Sequence, residues 1–224
     1  MSGPPERLMS VRGHRLEPQG SRAYQNSGNL GNRNQLRRTM RQTRRKLAAT
    51  TLANNAQAIA THLNQLTCFK RAQHIASYAA FDGEVPISLH DIDPLHTWYL
   101  PIVADRLLRW EKKPLVFQRY EHTTQFAANR FGIAEPVFDP SNQRHPTMLD
   151  MILVPLVAFD RSGNRLGMGA GYYDRTFARL KAWHRPLLVG IAHAIQEASF
   201  NTAPWDVPLD YVITEQEVIK PKLK

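Results

Sequence analysis

Nine consecutive residues, Met151 to Phe159, carry no charged or hydrogen-bonding side chain. A run so short and so apolar suits a strand buried on both faces, the situation found where helices cover both sides of a parallel sheet. It is about half of the roughly 20 apolar residues needed to span a bilayer. No longer strongly apolar run exists, so no transmembrane helix is expected. Pro155 lacks the N–H of a ladder hydrogen bond, so it belongs at a bulge or at the strand end.

The flanking patterns supply helices and further strands. Leu36, Met40 and Leu47 recur at helical spacing among Arg, Gln and Thr, and Leu52, Ala56, Ile59, Leu63 and Leu66 step by four and three. Thr50 and Thr51 are placed to cap that second helix. The runs 74–81, 97–103, 114–120, 187–192 and 211–214 read as strands, 131–148 as a surface loop, and 172–183 as a helix. Strands interleaved with helices predict an α/β layered fold with a mostly parallel central sheet flanked by helices. At 224 residues, with no repeat or linker inside 33–219, one domain over 31–224 is expected, preceded by a disordered extension over 1–30.

Net charge is +10, but it is unevenly placed. Residues 1–46 hold eleven Arg and Lys against Glu6 and Glu17, leaving 18 basic and 17 acidic groups in the remainder. The basicity is therefore local. A nucleic-acid-binding protein is one reading of it, yet residues 31–68 contain no aromatic residue to stack on bases. Cys68 is the only cysteine, which excludes an intrachain disulfide and a thiolate zinc cluster and suits a reducing compartment.

Chemistry concentrates in the segment 160–174. Gly167, Gly169 and Gly171 alternate between an apolar run and a predicted helix, where backbone N–H groups can approach an anion closely. Phosphate is the natural guest. The spacing is neither that of the dinucleotide fingerprint nor that of the P-loop. Arg165 is suited to pair with phosphate, and Asp174 to hold magnesium or, alternatively, to stabilise its own helix dipole.

The run Gly163-Asn164-Arg165-Leu166-Gly167-x-Gly169-x-Gly171-Tyr172-Tyr173-Asp174 resembles the signature of the 5-formyltetrahydrofolate cyclo-ligase family, also called methenyltetrahydrofolate synthetases. Arg33 with Leu36-Arg37, then Asp82-Gly83-Glu84-Val85, Phe131-Gly132-Ile133-Ala134-Glu135-Pro136 and Trp205-Asp206-Val207-Pro208-Leu209-Asp210 resemble further family segments in the same order. The resemblance implies the scaffold shared with sugar-phosphate isomerases and CoA transferases. It also implies conversion of 5-formyltetrahydrofolate to 5,10-methenyltetrahydrofolate with ATP as co-substrate, Mg2+ as cofactor and release of ADP and phosphate.

By the same resemblance, Arg33, Arg37, Arg165, Gly167, Met168, Gly169, Ala170, Gly171 and Tyr172 are matched to ATP. Glu84, Ala79, Phe131 and Tyr173 are matched to the folate, with Glu84 on the pterin, and Arg165 and Tyr173 stand nearest the reaction. Asp174 is the expected metal ligand and Asp210 the second candidate. Phe131 and Tyr173 have core packing as an alternative, and Asp210 a strand-end role. Arg38, Arg41, Arg44 and Arg45 are expected on a solvated helix face. Met168 and Ala170 stand where many relatives carry Arg, Lys or Gly, and Pro86 where Thr is common. A cytoplasmic enzyme, monomeric or weakly dimeric, with no nucleic-acid or membrane partner, is the expectation; a non-catalytic folate binder on the same fold is the alternative.

Overall fold

The apolar run 151–159 divides into two strands with a break at its proline. β7 (Met151–Pro155) ends at Pro155, and β8 (Ala158–Phe159) turns away into a hairpin. β7 is paired in parallel on both sides, to β1 (His74–Ala76) and β10 (Leu187–Ile191). Its residues alternate between two cores. Met151 and Leu153 pack with Ile59 and Leu63 of α2 (Ala49–Gln65) and Phe69 of α3 (Thr67–Arg71). Ile152 and Val154 pack on the other face with Phe117, Phe159 and Phe177. Burial on both faces accounts for a strand with no polar residue.

The structure, a computed structural model, describes residues 21–88, 95–103, 115–178, 180 and 185–222, with backbone alone for 21–31. Its main sheet has eight strands in the order β12-β11-β10-β7-β1-β2-β3-β6. β11 (Tyr211–Ile213), β10, β7, β1 and β2 (Thr97–Val103) are mutually parallel. β12 (Val218–Ile219) at one end, and β3 (Leu115–Arg119) followed by the edge strand β6 (Gln143–Arg144) at the other, each pair antiparallel with the strand before them. The mostly parallel α/β sheet anticipated from sequence is present.

Several boundaries differ from expectation. α1 (Ser21–Arg45) begins well before Arg33, and residues 1–20 lie outside the described part. α2 is preceded by Ala48 with no side-chain cap, and Thr50 and Thr51 fall inside its first turn. The run 74–81 is a strand only to Ala76, after which the chain leaves the sheet. The predicted loop 131–148 contains β5 (Ala134–Pro136), paired with β4 (Phe126–Ala128), as well as β6. α4 (Tyr172–Phe177) occupies the start of the predicted 172–183 helix; residues 179 and 181–184 lie outside the described part, as does Pro114.

The strand order sets the place of the site. From β1 the chain crosses to β2 on one side, whereas β7 lies on the other side and leads to β10. Connections leaving two adjacent parallel strands in opposite directions open a crevice beyond their carboxyl ends.

Candidate active site

A cleft of about 690 Å3 opens at that crevice, lined by Tyr78 and Ala79 after β1, Leu100 and Val103 of β2, and Pro155 at the end of β7. α1 and the glycine segment close it from above. The glycine segment does not follow the central strand directly. It leaves the hairpin of β8 and β9 (Arg165–Leu166), whose turn is held by Asp160 Oδ1 accepting from Ser162 N and Asn164 N. Gly163 in that turn has φ +81°, and a Cβ there would stand 2.8 Å from Leu209 O, so only glycine fits.

One half of the cleft is cationic. Arg33, itself 7% exposed, forms a two-pronged pair with Asp206 at 2.9 and 3.1 Å. Arg37 donates from Nε to Gly167 O at 2.9 Å, and Gly169, at φ +105°, leaves the guanidinium room beside the loop. Burial, and then the Arg33 charge, presses the Arg37 guanidinium below its ordinary value. Like charges held together out of water are relieved by a bound anion. Arg165 is almost wholly enclosed and donates from Nη2 to Asp174 Oδ1 at 2.6 Å. The same Oδ1 accepts from Val207 N at 3.1 Å. Arg33 Nε and Arg165 Nε are buried with no partner among the described residues. Such donors cost about 1–3 kcal/mol each when unpaired, and a ligand that shifts either guanidinium would recover it.

The other half is aromatic and carries two carboxylates, Glu84 and Glu135, of which Glu135 Oε1 is taken up by Val103 N and Asn129 Nδ2. Phe131 is 46% exposed and meets Tyr172 edge-on with centroids 6.1 Å apart, so it is a rim residue and not a core one. Tyr173 lines the cleft beneath the Arg165 guanidinium, whose Cζ stands 5.8 Å from the ring centroid. Glu84 Oε2 accepts from Phe81 N at 3.1 Å, and Arg44 Nη2 lies 3.5 Å from Oε1. Burial raises the Glu84 carboxyl from its usual range to about 7 despite that arginine. A carboxylate held half-ionised near neutrality marks a functional position more than a structural one.

The predicted residues of the nucleotide loop and of the folate half therefore line one cavity, together with Arg33, Arg37 and Asp174. Asp210 does not. It sits before β11, where Oδ2 and Oδ1 take Arg185 Nη1 and Nη2 at 2.6 and 2.8 Å and Oδ2 also accepts from Leu188 N at 2.7 Å. That is the amino end of β10, away from the cleft, so Asp210 takes the strand-end role and does not line the site. Asp210→Asn is expected to cost about 1–3 kcal/mol of stability, as read by thermal unfolding.

Arg41, Arg44 and Asp206 are site residues that sequence reasoning passed over. Arg44 was expected in solvent, yet it is 0% exposed. At 100° per residue Arg33, Arg37, Arg41 and Arg44 fall within about 80° of one another on α1, and that shared stripe was the available signal. Arg41 and Arg45 both pair with Asp82, whereas Arg38 is exposed as expected. Among the described residues no group of three or more His, Cys, Asp or Glu could hold a metal unaided.

Comparison with known proteins matches this arrangement to a family. A model described as the 5-formyltetrahydrofolate cyclo-ligase family covers residues 29–215. The chain is 37% identical over 190 residues to the 5-formyltetrahydrofolate cyclo-ligase of Haemophilus influenzae, covering 81% of this chain and 96% of that one. To the protein of the same name from Escherichia coli it is 34% identical over 190 residues, covering 80% and 98%. The NMR structure of Aquifex aeolicus 5,10-methenyltetrahydrofolate synthetase superposes with a TM-score of 0.68 at 29% identity, covering 86% of this chain and 94% of that one. With sequence motifs, fold and near end-to-end coverage in agreement, this chain belongs to the 5-formyltetrahydrofolate cyclo-ligase family.

Proposed function

We propose that this protein converts 5-formyltetrahydrofolate to 5,10-methenyltetrahydrofolate at the expense of ATP, releasing ADP and phosphate. Family membership supports the reaction class. The observation that carries the reading is the division of one cleft into a cationic half at Arg33, Arg37 and Arg165 and an aromatic half that holds the Glu84 carboxylate.

The chemistry needs activation of a poor leaving group. The formyl oxygen attacks the γ-phosphorus of ATP and ADP leaves; N10 then closes on the activated carbon, loses its proton, and phosphate departs with the former formyl oxygen. Catalysis of phosphoryl transfer rests on positioning and on spreading of charge, with no nucleophilic side chain required. Arg33 and Arg37 suit the phosphates of ATP, with the backbone of 167–172 beside them. Arg165 is placed to stabilise charge on the transferring group, which it meets in an enclosed setting where electrostatic interactions are strong. Glu84 suits the 2-amino group and adjacent ring N–H of the pterin, which together present paired donors to a carboxylate. Ala79, Tyr173 and Phe131 supply the apolar walls.

Mg2+ typically keeps several waters and takes one or two carboxylates plus substrate phosphates. Asp174 fits that requirement, because it lines the cleft with the glycine segment and both of its hydrogen bonds among the described residues fall on Oδ1, which leaves Oδ2 for a cation. A bound Mg2+ would neutralise phosphate charge there. Asp174→Asn keeps an acceptor for Arg165 and Val207 but removes the anion. It is expected to raise the Mg2+ concentration for half-maximal turnover about tenfold or more, read by titrating the metal at saturating substrates.

All these residues come from one chain, which suits a monomer or weak dimer. A single cysteine suits the cytoplasm, and no helix among the described residues is long and apolar enough to cross a membrane. The deciding experiment mixes purified protein with 5-formyltetrahydrofolate and Mg-ATP and follows the absorbance of the methenyl product. No product from folded protein would overturn the proposal.

A further inference from the structure

The turn 81–85 that presents Glu84 is held in an unusual way. Asp82 has φ +58°, a left-handed conformation that is uncommon outside glycine and that Asp tolerates better than most residues. The buried group that holds it there is Arg44. Its guanidinium, without solvent exposure, donates from Nε to Asp82 O at 2.7 Å and from Nη2 to Asp82 Oδ2 at 3.1 Å, and places Nη2 3.5 Å from Glu84 Oε1. From Nη1 it donates to Leu156 O at 2.9 Å, just beyond the end of β7. One side chain thus ties α1 and the central strand to the turn. Gly83 completes the fit: a Cβ there would meet Arg44 O at 3.1 Å, and its carbonyl oxygen lies 3.2 Å from His193 Nε2.

We infer that Arg44 is a positioning residue for Glu84: its buried guanidinium fixes the 81–85 turn against the end of β7 and supplies the counter-charge that the Glu84 carboxylate meets at the floor of the cleft. The inference rests on the assignment of Glu84 to the pterin. Arg44 touches no substrate in this scheme, and it differs in that respect from Arg33 and Arg37 on the same helix stripe. The groups facing Glu84 are Arg44 from α1, Asp82 and the Phe81 N–H from its own turn, Tyr78 from the segment after β1 and Tyr173 from α4. Arg44 is the only cation among them. Asp82 and the two phenols, which stay neutral through the working range, give Glu84 no compensating charge.

The test uses Arg44→Met, Arg44→Lys and Glu84→Gln in the full chain, with kcat/KM for 5-formyltetrahydrofolate measured against pH and KM for ATP measured alongside. Arg44→Met keeps Arg41 and Arg45 on Asp82, so it is expected to fold. It should raise KM for the folate about tenfold, move the acidic limb of kcat/KM upward by about one pH unit and leave KM for ATP within about twofold. Arg44→Lys restores a cation without the planar fork; its acidic limb should return toward that of the native protein while KM for the folate stays raised. In the Glu84→Gln background, Arg44→Met should add less than about twofold, because the path runs through a carboxylate already removed.

An unmoved acidic limb in folded Arg44→Met, or full additivity with Glu84→Gln, would overturn the inference. If Arg44→Met does not fold, Arg44→Lys carries the test through its pH profile, and failure of both to fold would assign Arg44 to folding alone. A native KM in Glu84→Gln would refute the Glu84 assignment itself, whereas impaired Glu84→Gln beside native-like Arg44→Met would refute only the role of Arg44.

Discussion

Replacing Arg165 by Met is expected to lower kcat about 10^3-fold at saturating ATP and folate, the scale on which arginines that stabilise phosphoryl transfer act. The guanidinium is 4% exposed at residue level, so water cannot take over its charge. Its Nη2 is committed to Asp174, but the fork extends over the Tyr173 ring and toward Gly167, where a Cβ would stand 3.6 Å from Nη1. The absence of a side chain at Gly167 keeps that flank open to a ligand. Arg165→Lys keeps the charge and loses the planar double contact, so a smaller loss of about tenfold to 10^2-fold is expected. Arg165→Met also leaves Asp174 without its cation at a cost of about 3 kcal/mol, and circular dichroism under assay conditions separates that loss from kcat. Native-like turnover in a folded Met variant would remove Arg165 from the transferring group.

Glu84→Gln is expected to act in opposite directions on activity and stability. In the folded protein burial raises the carboxyl from 4.5 to about 7, against the lowering influence of Arg44 and the Phe81 N–H. The folded chain therefore holds that proton more tightly than the unfolded chain between those two values, and stability falls as pH rises through the interval. Below about pH 4.5 the group is protonated in both states and the penalty is absent; above about 7 it is complete. A neutral Gln removes it, so the variant should exceed the native protein by about 2 kcal/mol at pH 8 and match it near pH 4.5. Activity should move the other way, with KM for the folate raised about tenfold and the acidic limb near pH 7 abolished. Denaturant unfolding at the two pH values, beside the pH profile, checks both halves. A variant destabilised at pH 8 would show that the charge is fully compensated in the fold.

Much of this architecture was legible in one dimension. The apolar run 151–159 announced a doubly buried strand because burial on both faces leaves no place for a polar side chain. The glycine segment marked the cleft wall, which Gly167, Gly169 and Gly171 line, because closely spaced glycines between ordered elements leave the backbone open to a ligand. Charge was legible only in amount. Beyond Arg33 and Arg37, which the motifs matched to a ligand and which line the cleft, the helix arginines read as a solvated face, whereas Arg41 also lines the cleft and Arg44 lies beneath it. Asp210 shows the same gap from the acidic side: its motif matched, but the amino end of a parallel strand is the wrong end of the sheet for a site built at the carboxyl ends.

By itself, then, the sequence determined the layered α/β class, the central strand, the glycine segment and the family, since each depends on local pattern or on motif order. The tertiary structure alone decided which charges meet. Ion pairs such as Arg44 with Asp82 and Glu84, 38 and 40 residues apart, or Arg33 with Asp206, 173 apart, form because the strand order brings distant loops to one crevice. Coulombic pairing depends on distance and burial in space, neither of which is encoded by separation along the chain.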